Sequence, residues 1–109
     1  MPIVKRPGDT LVLRGKLMDY ELRRPLPGME VFLQQYVRTT GLWEDIMSTK
    51  TDENGEYVFE LKLPTEEGSY RFRVCFKGTD EYKKDCSPPV TVTVRKPKAA
   101  PTVVSIIAE

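Results

Sequence analysis

Nine prolines and seven glycines divide this chain of 109 residues into pieces too short for a long helix. Proline removes a backbone donor and glycine weakens the interior of any regular element, so each one punctuates the chain. No window keeps apolar residues at i, i+3, i+4 and i+7 over three turns. The pieces between the breakers alternate instead, which is the period of a strand with one buried face. Residues 10–17 place Leu11, Leu13 and Gly15 on one face and Val12, Arg14 and Lys16 on the other. After the stiff turn Arg24-Pro25-Leu26-Pro27-Gly28, residues 29–37 set Met29, Val31, Leu33 and Gln35 against Phe32 and Tyr36. Residues 42–51 read as a more irregular strand.

The turn at Asp52-Glu53-Asn54-Gly55 is the clearest local signal. Asn-Gly between two alternating runs predicts a hairpin, because both residues accept the positive φ that such a turn requires. Residues 56–63 follow with Tyr57, Phe59, Leu61 and Leu63 on one face. Residues 70–77 direct Tyr70, Phe72, Val74 and Phe76 inward and Arg71, Arg73, Cys75 and Lys77 outward. Residues 90–95 are the strictest alternation, Val-Thr-Val-Thr-Val-Arg. About seven strands with turn signals every ~8–12 residues predict an all-β antiparallel sandwich. Parallel α/β architectures are excluded, since no crossover helices are available.

Seventeen Lys and Arg balance sixteen Asp and Glu, so the bulk charge of +1 carries no polyanion-binding signature. The absence of His excludes an imidazole base, ligand or pH switch, and two cysteines cannot make a four-ligand zinc site. Residues 1–7 lack the apolar core of a signal peptide, and no run approaches the ~18 apolar residues of a membrane span. The chain is therefore expected to be cytosolic or a module of a longer secreted protein.

Chemistry-bearing residues are few. Asp52, Glu53, Asp80, Glu81 and Asp85 fall in expected loops, where solvated turn residues explain them better than an acid–base pair or a calcium site. No catalytic residue, metal ligand or cofactor is expected, and the chain is not expected to be an enzyme. Cys75 and Cys86 have two readings. Arg71, Arg73 and Lys77 flank Cys75 and would favour a thiolate. Alternatively, the two cysteines oppose each other across a hairpin centred near Asp80-Glu81, and a disulfide there would contribute about 2–4 kcal/mol. The hairpin register favours the disulfide, which points to an oxidising compartment or a hyperthermophile cytosol. Arg71, Arg73, Lys77, Lys83, Lys84 and Arg95 form an expected basic face. Glu56, Glu60 and Glu81 dilute it and no aromatic is expected to interleave with it, so no nucleic-acid partner is expected.

Residues 51–59 (Thr-Asp-Glu-Asn-Gly-Glu-Tyr-Val-Phe), residues 67–74 and the Phe76-Lys77-Gly78-Thr79-Asp80-Glu81-Tyr82 loop resemble the bacterial and archaeal Ig-like repeats of surface proteins. The Pro27-Gly28 entry to the 29–37 strand and the closing 89–94 run are similar to the same family. Transthyretin-like and carboxypeptidase regulatory domains share the Asp-x-x-Gly-x-Tyr pattern. The first resemblance implies a seven-stranded antiparallel Ig-like β-sandwich over residues 1–96, with 97–109 as linker and β-prone tail. It implies a structural or adhesive module, spacer or subunit, of a cell-surface or secreted assembly. The implied partners are neighbouring Ig-like domains or further copies, joined through edge strands. Val103, Val104, Ile106 and Ile107 are the candidate assembly strand. The alternative is a carbohydrate- or protein-binding module of a secreted enzyme, with Trp43, Tyr36 and Tyr20 exposed on one face as a sugar platform.

Overall fold

Alternation buries one side of most of the strands, and two sheets close those sides against each other. The structure, a computed structural model, describes residues 3–97 and 102–108. Among these there is no helix, and there are eight strands: β1 (Ile3–Lys5), β2 (Thr10–Lys16), β3 (Glu30–Val37), β4 (Leu42–Lys50), β5 (Glu56–Lys62), β6 (Gly68–Phe76), β7 (Asp85–Cys86) and β8 (Val90–Val94). The larger sheet runs β1-β8-β6-β3-β4, with β7 also on β6, and the smaller is the pair β2-β5. The fold is an all-β sandwich.

Two details differ from the expected seven antiparallel strands. Residues 3–5 add a short strand that pairs parallel to β8, Ile3 opposite Val92 and Lys5 opposite Val94. The chain after β6 also pairs twice with the same edge of β6. Cys86 lies opposite Cys75 in β7, whereas β8 pairs with Gly68 to Phe72. Pro88 and Pro89 lie between these two segments, and without N–H groups they cannot continue the ladder.

The core follows the expected faces. Leu11, Val31, Leu33, Phe59, Leu63, Phe72, Phe76, Val92 and Val94 form one buried cluster between the sheets. Fully burying a side chain of this kind contributes roughly 1.5–3 kcal/mol. Tyr57 lies across Gly15, its partner on β2, and burial raises the pKa of its phenol above the ordinary value.

The Asn54-Gly55 turn forms, but it does not join paired strands. The Gly55 amide donates to the Asp52 carbonyl (3.0 Å) and the Asp52 amide to the Glu56 carbonyl (2.9 Å). Beyond this local reversal β4 pairs with β3 and β5 pairs with β2, so the expected hairpin is a crossing between sheets. A tight turn dictates only the reversal of the chain; the burial of each strand's apolar face decides its partner. The β2–β3 crossing is fastened to the same point. The Leu17 amide donates to the Gly55 carbonyl (2.8 Å) and the Leu26 amide to the Leu17 carbonyl (3.0 Å). The buried Thr51 hydroxyl donates to the Leu26 carbonyl (2.6 Å) and accepts from the Met29 amide (2.9 Å). Gly55 has φ +72°, and a Cβ there would lie 2.6 Å from the Leu17 carbonyl oxygen. Both the dihedral and the space demand glycine.

The tail behaves differently from its expected strand. Residues 102–108 pair with no strand, and Val103, Val104, Ile106 and Ile107 are 86–95% exposed. β-propensity expresses how well a residue fits a half-buried pleated surface, and this segment has no such surface beside it. Most of the linker reading, residues 98–101, lies outside the described residues.

Candidate functional site

The outer face of the larger sheet gathers most of the chemistry in the molecule. Parity places Phe32, Gln34 and Tyr36 of β3 on that face, and Arg71, Arg73 and Cys75 of β6 beside them. The register sets Gln34 opposite Arg73 and Phe32 opposite Cys75. β4 reaches the same face through a bulge. Leu33 pairs with Met47, but Gln34 pairs with Asp45, leaving Ile46 as the extra residue. Without that bulge Trp43 would oppose Val37 and turn inward. With it, Trp43 opposes Tyr36 and Asp45 opposes Gln34, so both point outward.

Cations cover the aromatic rings. The Arg73 guanidinium lies 4.4 Å from the Trp43 ring centroid. That of Arg71 lies 5.2 Å from the Tyr36 ring and 5.7 Å from the Trp43 ring. The Lys77 ammonium lies 3.9 Å from the Phe32 ring. Such contacts are worth about 0.5–1 kcal/mol each at exposed sites, enough to orient a long side chain. Gln34 ties the strands together: its Oε1 accepts from Arg73 Nε (2.8 Å) and its Nε2 donates to Asp45 Oδ1 (2.8 Å). Lys77 forms an ion pair with Asp45, and with Gln34 it holds the Asp45 carboxyl below its ordinary pKa. Arg38 adds a fourth cation at the end of β3, reaching the Ser69 carbonyl at 3.4 Å.

These positions correct the expectation that no aromatic interleaves with the basic face. Three aromatics do, contributed by β3 and β4 rather than by the strand that carries the arginines. The parity of Phe32 and Tyr36 was the available signal; the Trp43 bulge left none.

The structure joins Cys75 and Cys86 in a disulfide, with Cα atoms 4.1 Å apart. The next pair is hydrogen-bonded, Ser87 N to the Val74 carbonyl, so the cysteines occupy a close, non-hydrogen-bonded position of the β6–β7 hairpin. Cys75 was expected on an open outward face. It is buried there, covered by its partner and by Gln34, whose Oε1 is 3.2 Å from its Sγ. Thr79 closes the hairpin loop by accepting the Glu81 and Tyr82 amides (3.2 and 3.1 Å).

The expected sugar platform does not assemble as one plane. Tyr36 and Trp43 meet edge to face at 5.4 Å and 64°. Tyr20 stands on the β2–β3 connection, where Arg23 lies 5.9 Å from its ring. In the 52–55 turn, Asp52 Oδ1 is occupied by the amides of Asn54 and Glu56 (2.8 and 2.9 Å). Among the described residues no three His, Cys, Asp or Glu side chains are grouped to hold a metal. No protein-family model matches the chain, and no curated protein is similar to it in sequence.

Proposed function

We propose that this chain is a structural or adhesive module, Ig-like in type, of a cell-surface or secreted assembly, and that residues 102–108 connect it to its neighbour. The observation that carries this reading is the tail: Val103, Val104, Ile106 and Ile107 stand 86–95% in water. A run of large apolar side chains in that state favours association, and a β-branched run associates most readily by adding to an open sheet edge. The sandwich offers such edges at β4 and on both sides of the β2-β5 pair.

Two further features support the reading. The order β8-β6-β3-β4 facing β2-β5 is compatible with the two-sheet division of Ig-type sandwiches. The Cys75–Cys86 disulfide suits an oxidising compartment. The test is sedimentation of the full chain against a variant carrying Ile106→Asp and Ile107→Asp. The parent chain self-associates with rising concentration, whereas the variant stays monomeric and keeps the parent's unfolding temperature. A parent chain that remains monomeric at every concentration reached, or a variant that associates equally, overturns the proposal.

A further inference from the structure

We propose that the outer face of β3, β4 and β6 binds an acidic polysaccharide, with Arg71 and Arg73 taking its carboxylate or sulfate groups. The proposal is independent of the tail. It starts from the charge on this face. Arg71 and Arg73 on β6 and Lys77 just beyond its end follow one another along one strand, and Arg38, at the end of β3, reaches the Ser69 carbonyl beside them. The nearest carboxylate, Asp45, is engaged by Lys77, and Glu30 lies at the far end of β3 opposite Lys50. Asp85, on β7, lines the same depression as Arg73, Lys77 and Lys84 but forms no ion pair with them. Among the described residues, neither Arg71 nor Arg73 has a carboxylate within ion-pair distance, so both cations are left to meet an outside anion.

The arginines are also held in place before any ligand arrives. Arg73 is fixed through Nε by Gln34 and rests on Trp43, leaving its two terminal nitrogens directed away from that bond. Arg71 lies across Tyr36 and Trp43. A planar fork held in this way matches a carboxylate or sulfate in bidentate fashion and loses little further entropy on binding. Two residues along a strand are roughly 7 Å apart, so the pair addresses charges repeated along a chain rather than a single ion.

The covered rings favour a glycan over single-stranded nucleic acid. Base recognition needs open aromatic faces for stacking. Here Arg71 and Arg73 already lie over the Tyr36 and Trp43 rings, and the charge is what the face presents.

Trp43 is the sole tryptophan and lies beneath Arg73, so its fluorescence reads the site directly. The full chain, with its disulfide intact, is titrated at low salt with a heparin octasaccharide and with a galacturonate oligomer, using neutral dextran and oligothymidylate as comparisons. A saturable change with at least one acidic glycan and none with dextran is expected. Heparin alone assigns the sulfate; galacturonate alone assigns the carboxylate. Replacing both arginines, Arg71→Gln with Arg73→Gln, weakens binding by at least about tenfold. Arg73→Lys weakens it despite keeping the charge, because the fork is lost. Arg14→Gln, on the outer face of the smaller sheet, leaves it unchanged. If the double variant does not fold, the exposed Arg71→Gln carries the test alone. No saturable change with either glycan, an affinity indifferent to the arginine replacements, or tighter binding of oligothymidylate overturns the proposal.

Discussion

Two β-branched runs of similar composition meet opposite fates in this molecule. In β8, Val92 and Val94 are 0% and 1% exposed; in the tail, Val103 and Ile106 are 93% and 95% exposed. Both runs carry the residues that strands prefer. The difference is what lies beside them. β8 has β6 along one edge, β1 along the other and the core beneath its valines, so every second side chain leaves water. The tail has neither ladder nor floor. Strand-forming residues thus make a stable strand only where a partner satisfies the backbone and a second layer covers one face.

Moving a charge into each run is the most severe test of this comparison. Val92→Asp buries a carboxylate without a partner and is expected to unfold the sandwich, a loss of several kcal/mol. Ile106→Asp is expected to change the stability of the monomer by no more than about 0.5 kcal/mol. Urea denaturation of both variants reads the contrast, and equal costs would mean that the tail packs on the sandwich.

Next in size is the covalent link between β6 and the short, exposed β7. Replacing both Cys75 and Cys86 by Ala should cost about 2–4 kcal/mol. Alkylation of the folded protein without reductant, followed by mass measurement, should find no free thiol; two modified cysteines would remove the basis of that figure.

Gly55→Val probes the point where two of the crossings between the sheets, β2–β3 and β4–β5, are tied. The substitution meets a positive φ and the Leu17 carbonyl together, and about 1–3 kcal/mol is expected from the strained backbone alone. An unchanged denaturation midpoint would show that the crossings are not tied there.

The smallest effect is on the outer face, at the exposed Asp45–Lys77 pair. Lys77 and Gln34 hold the pKa of Asp45 below its unfolded value. Its contribution is therefore fully present above the unfolded carboxylate value and fades as pH falls through the lower folded value. Both partners of the ion pair are exposed, so solvent screening keeps the loss in Asp45→Asn within about 1 kcal/mol at neutral pH. The parent's advantage over this variant should vanish in acid; an advantage that grew there would contradict the assignment.

What the sequence determined by itself was local. The spacing of proline and glycine excluded long helices, and strict alternation marked the buried faces of β3, β5, β6 and β8. Asn54-Gly55 marked a turn, and the eleven-residue spacing of Cys75 and Cys86 suited a hairpin. Each of these depends on neighbours a few residues apart, where steric limits and the two-residue period act directly. Tertiary structure decided the rest. It sent β4 and β5 to different sheets: β5 buries Phe59 in the core beside β2, whereas β4 lies at the edge beside β3 with no fully buried side chain. It laid residues 3–5 parallel to β8. It turned Trp43 outward through a bulge at Ile46, since a shift of one residue moves every later side chain to the opposite face. The meeting of Trp43, Tyr36, Arg71 and Arg73 depends on that shift and on the pairing of three strands. Alternation within one strand carries no information about either, because strand pairing is settled by burial across the whole sandwich.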